Sequence, residues 1–273
     1  TWAAAEELGI PRVIVLNLLD RERASLERSL AALREVLGRT IVPLQLPLGK
    51  EQSFRGVVDL VAMKALVFTP GDHGKPSVEE IPDDIADSAK TARDALIEMV
   101  AEADDTLMER FFDTGTLTQK ELEGGLRTAV IAGQFVPLLC TSATLNIGIA
   151  PLLDALVTYT PSPADRPFPG VDTNDNAVAL AASSESPTAA FVWKTIADPF
   201  AGRITMFRVA SGTIKADTSV HNLTKDADER CGHLLLLQGK TQTAVDEIRA
   251  GDLGAVRLRR RSAKPARVRG NRE

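Results

Sequence analysis

Val13-Ile14-Val15-Leu16 is a short apolar run that ends in Asn17 and Asp20, and an amphipathic stripe follows it. Leu26, Leu30, Leu33 and Leu37 recur at i, i+4, i+7 and i+11, and Gly38 stands where a helix would stop. A buried-type strand coupled to such a helix is the unit from which parallel sheets with helical faces are built. Ahead of it, Trp2–Leu8 reads as a helix closed by Gly9 and Pro11. Residues 1–38 therefore read as an αβα unit, with a strand over 12–16 and a helix over Arg21–Leu37. In open α/β sheets ligands bind beyond the carboxyl ends of the strands, so Asn17 and Asp20 are released where a ligand would sit.

The pattern changes over residues 39–134, which read as an α+β insertion. Thr40–Leu48 and Phe54–Phe68 alternate like strands, and Pro70-Gly71 with Gly74-Lys75-Pro76 mark a loop. From Asp84 to Phe112 apolar residues repeat at threes and fours, predicting one long helix. Thr118-Gln119-Lys120-Glu121 is a capping box that starts another. The α/β pattern returns over 135–165, where the apolar strand Phe135–Cys140 releases Thr141-Ser142-Ala143-Thr144 and a helix spans Gly148–Tyr159. A polar stretch over 164–187 reads as a linker. Residues 166–256 are all-β in flavour, with short strands at Ala190–Ile196, Arg203–Ala210, Ser219–Leu223 and His233–Gln238 between turn signals such as Asp198-Pro199. Strands of that spacing suggest a small barrel.

Composition narrows the function classes. Residues 257–273 hold eight Lys/Arg against one Glu, leaving about −12 on the rest of a chain whose net charge is −5. An acidic body with a short, aperiodic basic tail is not the pattern of a dedicated nucleic-acid reader. No apolar run is long enough to span a bilayer and no signal-type segment is recognisable, so the expectation is a cytoplasmic protein with no membrane partner. Cys140 and Cys231 lie far apart without metal-ligand spacing and read as buried, idle thiols. His73, His221 and His233 sit in loop or strand contexts that suit surface or packing roles.

The chemistry-bearing residues are the two strand ends. An ionised Asp accepts two parallel N–H bonds, which matches the N1–H and exocyclic amine of guanine. An Asn can brace the neighbouring loop and reach N7, and a backbone N–H of a Ser-Ala turn can donate to O6. Adenine presents the opposite donor and acceptor pattern, and a site built to hydrogen-bond rejects such an analogue on the order of a thousandfold. On these residues the chain resembles the translational GTPases: Asn17-Leu18-Leu19-Asp20 and Ser142-Ala143-Thr144 are similar to their two guanine-recognition motifs. Pro43–Pro47, Phe54–Leu60, Pro161-Ser162-Pro163, Asp198-Pro199-Phe200, Arg208–Gly212 and Ile248–Asp252 extend the resemblance, and it is to the bacterial elongation factor G family.

The resemblance implies a fold and a function. The fold would be α/β, a partial P-loop-type GTPase domain with an α+β insertion, followed by a small β-barrel domain. Residues 1–38 and 135–165 would be the C-terminal part of the GTP-binding domain, 39–134 its G′ insertion, and 166–256 an incomplete domain II. The family binds GTP and GDP with Mg²⁺ and drives ribosomal translocation, with the ribosome and its RNA as partners. Ribosomal-protection and release-factor GTPases share the first two domains. The reading from another class is a non-enzymatic ribosome- or RNA-binding module.

Three departures qualify this. Leu18 stands where the family's tetrad carries Lys, removing an ammonium that would lie by the base. The 273 residues contain no Gly-x-x-x-x-Gly-Lys-Ser/Thr, so the phosphate loop, the Mg²⁺-holding hydroxyl and the catalytic residues are expected upstream of residue 1, in a fragment without hydrolysis of its own. The basic tail falls where closing barrel strands are expected, and it reads as out-of-frame sequence that leaves an open edge.

Overall fold

The computed structural model describes residues 1–172, 176–198, 202–258 and 267–270. The chain divides into two compact units, Thr1–Thr160 and Pro161–Glu273. In chain order the first contains α1 (Trp2–Glu7), β1 (Ile14–Leu16), α2 (Leu26–Leu37), β2 (Ile41–Pro43), β3 (Gln45–Leu48), β4 (Gly56–Asp59), β5 (Lys64–Val67) and β6 (Ser77–Glu79). It continues through α3 (Asp83–Glu102), α4 (Asp105–Thr114), α5 (Gln119–Ile131), β7 (Val136–Cys140) and α6 (Ile149–Tyr159).

Strand β7 lies between β1 and β2 in a parallel three-stranded sheet, and all five of its residues are buried. Its alternation divides the interior, as the strand period of two requires. Leu139 points into a core shared with Leu60, Leu96, Val100, Leu122, Leu126 and Tyr159 of the helices and insertion strands. Val136, Leu138 and Cys140 point the other way, toward Leu19, Leu26, Ile41, Phe54, Val57, Phe68 and Ile147. After β2 the chain stays beside β7, with the Leu44 N–H donating to Leu138 O at 3.0 Å. Strand β3 then opens the antiparallel sheet β3-β4-β5-β6. The insertion thus grows from the parallel sheet and shares both of its cores.

Two helix expectations change. Helix α2 begins at Leu26 and not at Arg21, because the Ser25 hydroxyl accepts the Arg28 N–H (3.2 Å) and caps it there. Residues 17–25 form turns, with Leu18 and Arg23 at positive φ. The long helix expected over Asp84–Phe112 is two helices, α3 and α4, broken at Ala103-Asp104. Asp104 caps α4 by accepting the Leu107 N–H (3.0 Å). Ala103, Leu107 and Phe111 pack on the same core on both sides of the break, so the apolar period runs through it unchanged. The capping box at Thr118 and Glu121 is present.

The second unit runs β8 (Phe168–Val171), β9 (Ala177–Leu180), β10 (Ala189–Asp198), β11 (Gly202–Ser211), β12 (Thr213–Lys215) and β13 (Thr218–Asn222). Then come β14 (Ala227–Cys231), β15 (Leu234–Gln238), β16 (Thr241–Val245), β17 (Glu247–Arg249), β18 (Leu253–Leu258) and β19 (Arg267–Gly270). An antiparallel sheet of order β14-β13-β19-β10-β11-β18-β15-β16 encloses a core with the β12-β17 pair, built from Val192, Phe207, Val209, Ile214, Val220, Leu234, Ile248 and Val256. The stretch read as a linker over 164–187 carries the β8-β9 hairpin. Polar strands β14 and β16 are invisible to an apolar pattern, since their pairing is made by backbone groups.

The tail also departs from expectation. Arg267–Gly270 pairs with Ala189–Phe191 of β10 and with Val220–Asn222 of β13, although its sequence has no strand period. Two strand edges supply the backbone partners, whatever the side chains. The rest of the tail beyond Leu258, and the Pro199-Phe200 part of the turn signal, lie outside the described residues.

Candidate functional site

Because β1 and β7 are parallel neighbours with Leu16 opposite Cys140, the residues following them emerge side by side. The Thr141 N–H donates to Leu16 O (2.9 Å) and the Leu19 N–H donates back to Thr141 O (3.3 Å), extending the ladder past both strands. Asn17 closes the junction. Its Oδ1 accepts the Ala143 N–H at 2.9 Å and the Thr141 hydroxyl at 3.3 Å, joining segments more than 120 residues apart. Leu19 is buried in the core below and fixes the loop's height.

Asp20 has an unusual environment. Its side chain is 12% exposed and its Oδ2 lies 3.5 Å from Arg21 Nε, whereas Oδ1 is buried with no partner among the described residues. A buried carboxylate oxygen left unmatched is costly and marks a place where a donor belongs. Leu18, between the two polar residues, is 43% exposed at φ 65°.

The second loop is tightly turned. Ser142 is buried, exchanges both backbone bonds with Ile147 (2.9 and 3.0 Å), and its hydroxyl accepts the Leu145 N–H at 3.3 Å. Ala143 and Thr144 are exposed at its tip. Gly148 then starts α6 at φ 77°, where a Cβ would overlap Cys140 O. Below, the Cys140 N–H donates to Gln45 Oε1 (3.0 Å), and burial pushes the Cys140 thiol up to about 12, with Glu27 adding to the shift. That thiol is not a nucleophile.

All seven residues singled out in the sequence fall in these two loops: Asn17, Leu18, Leu19 and Asp20 in the first, and Ser142, Ala143 and Thr144 in the second. Their roles differ in detail. The Ala143 N–H, expected to face a ligand, is engaged by Asn17, and Ser142 serves the turn. Sequence reasoning missed Gln45, whose signal was a lone amide between Leu44 and Leu46, and Thr141 as a partner of Asn17. Among the described residues no three His, Cys, Asp or Glu side chains converge on a point that could hold a metal ion. The residues present therefore do not make an Mg²⁺ cage.

Residues 1–162 match the family described as Elongation factor Tu GTP binding domain. The chain belongs to this family. Residues 187–258 match Elongation factor G domain 2, so a GTP-binding domain of the translational GTPase type is followed by a β-rich translation-factor domain. A solved structure of a protein from Thermus thermophilus is similar over the whole of this chain, with a TM-score of 0.82 and 27% identity. The chain spans 38% of that protein's length. No helix among the described residues is long and apolar enough to cross a membrane.

Proposed function

We propose that this chain is part of an elongation factor G-like translational GTPase, and that Asn17–Asp20 with Ser142–Thr144 recognise the guanine of GTP or GDP. The unmatched Oδ1 of Asp20, beside the Asn17–Ala143 clasp, carries the reading. A carboxylate whose second oxygen lacks a donor is completed by the paired N1–H and N2–H of guanine. Adenine would set its unprotonated N1 against that oxygen and leave it unmatched. Asn17 holds the two loops at a fixed spacing, and its amide nitrogen is the donor suited to N7. The tip of the second loop supplies backbone N–H groups for O6. Leu18 covers part of the base with apolar surface and offers no charge.

In this reading residues 1–38 and 135–165 form the C-terminal part of the GTP-binding domain, 39–134 the G′ insertion, and 166–256 the domain II barrel, which contacts ribosomal RNA. The whole protein would couple GTP hydrolysis to ribosomal translocation. The 273 residues lack a phosphate-loop motif, so on their own they are proposed to recognise the base and to release no phosphate from GTP.

Asp20→Asn tests the site. It replaces an acceptor by a donor facing the base's C2 substituent, so fluorescent GDP is expected to bind at least about tenfold more weakly. The xanthine analogue, with a carbonyl at C2, is expected to gain. Equal guanine affinity in the two proteins would overturn the assignment.

A further inference from the structure

The loop that joins β5 to β6, Thr69–Pro76, lies against the turn that carries Ala143 and Thr144. Phe68, at its start, and Ile147, at the end of that turn, belong to the same core as Leu19, so three loops share one floor. Above the floor Gly74 adopts φ 79° and faces Asn146. A Cβ on Gly74 would stand 2.8 Å from Asn146 Cγ and closer still to its Nδ2, so any larger residue must displace that side chain. Asn146 has little room to yield. It sits at φ 56° and its N–H donates to Ala143 O (3.3 Å), closing the turn. Two residues far apart in the chain are thus in contact through the gap that glycine leaves.

We infer that the Thr69–Pro76 loop of the insertion is a positioning element for the Ser142–Ile147 turn, with Gly74 as the positioning residue. Its consequence for nucleotide rests on the guanine reading above. Displacing Asn146 shifts Ala143 and Thr144, and a site whose donors move by a fraction of an ångström releases its ligand faster. Gly71, in the same loop, provides the control. It has φ 102°, so alanine there meets a comparable backbone penalty, but its Cβ would enter open space.

The test uses the 273-residue chain with hydrogen–deuterium exchange over residues 141–148 and stopped-flow release of fluorescent GDP. Gly74→Ala is expected to raise exchange of the Ala143–Ile147 amides and to speed GDP release about tenfold. Gly71→Ala is expected to change neither, and adding Asn146→Gly to Gly74→Ala is expected to restore both. Equal behaviour of the two alanine variants, or wild-type exchange in Gly74→Ala, overturns the inference. Should Gly74→Ala not fold, Asn146→Gln presses the same contact from the other side and must raise the same exchange. If the unsubstituted chain holds no GDP, the guanine reading fails, while the exchange comparison still decides the loop's role.

Discussion

Leu18 combines a left-handed backbone with an exposed apolar side chain, between Asn17, which is tied to the second loop, and buried Leu19. A non-glycine residue held at such a φ costs about 1–3 kcal/mol and persists where its surroundings over-determine it. Lysine has the same backbone cost as leucine, so Leu18→Lys isolates the side chain. The exchange adds an ammonium and keeps an aliphatic stem for the purine face. It is expected to strengthen guanine nucleotide binding by about 1–2 kcal/mol, read by titration with fluorescent GDP. An unchanged dissociation constant would show that residue 18 does not meet the base. The tetrad was visible in the sequence as residue types and spacing. That Asn17 commits its oxygen to the Ala143 N–H was not, because the partner lies 126 residues away.

Among the elements, helix ends were decided by single hydrogen bonds that an apolar period does not report. Asp104→Ala removes the acceptor for the Leu107 N–H at the start of α4 and is expected to cost about 1 kcal/mol in urea unfolding. A stability equal to wild type would mean that α4 is held by its core face alone. The β13-β14 hairpin carries a pH-dependent contact. His221 Nδ1 lies 2.9 Å from Asp228 Oδ1 and Nε2 lies 3.3 Å from Asp226 Oδ1. The hydrogen bond to Asp228 is the main cause of a raised His221 pKa, with the Asp228 and Asp226 charges adding to it against an opposing effect of burial. A raised folded-state pKa means that the stabilisation is complete below the unfolded value, about 6.5, and is lost as pH rises through the folded one. An NMR titration of His221 is therefore expected to have its midpoint above the ordinary histidine value of about 6.5, and Asp228→Asn is expected to lower it. Hairpin amide exchange should rise across the same window.

At the level of the molecule, each unit has its own core and one cysteine, Cys140 in the first and Cys231 in the second. Burial pushes both thiols up, to about 12 and about 11. Neither is expected to react with a maleimide or disulfide reagent at neutral pH in the folded chain, and mass spectrometry of partly denatured samples should read each unit's opening through its own thiol. Fast labelling of either in buffer would mean that its unit is not closed. The run Val13–Leu16, the Leu26–Leu37 stripe and the Thr118 box determined by themselves that the first unit is α/β and where several elements lie, because helix and strand periods are local. The placement of β7 between β1 and β2, the growth of the insertion from β2 into β3, and the pairing of the tail's Arg267–Gly270 were decided only in three dimensions. So was the site. Its residues become one group because two parallel strands end at the same height and Asn17 bonds across them, and its floor because Phe68 and Ile147 enter a common core. Backbone pairing and core sharing join residues far apart in the chain, and no window of sequence contains both partners.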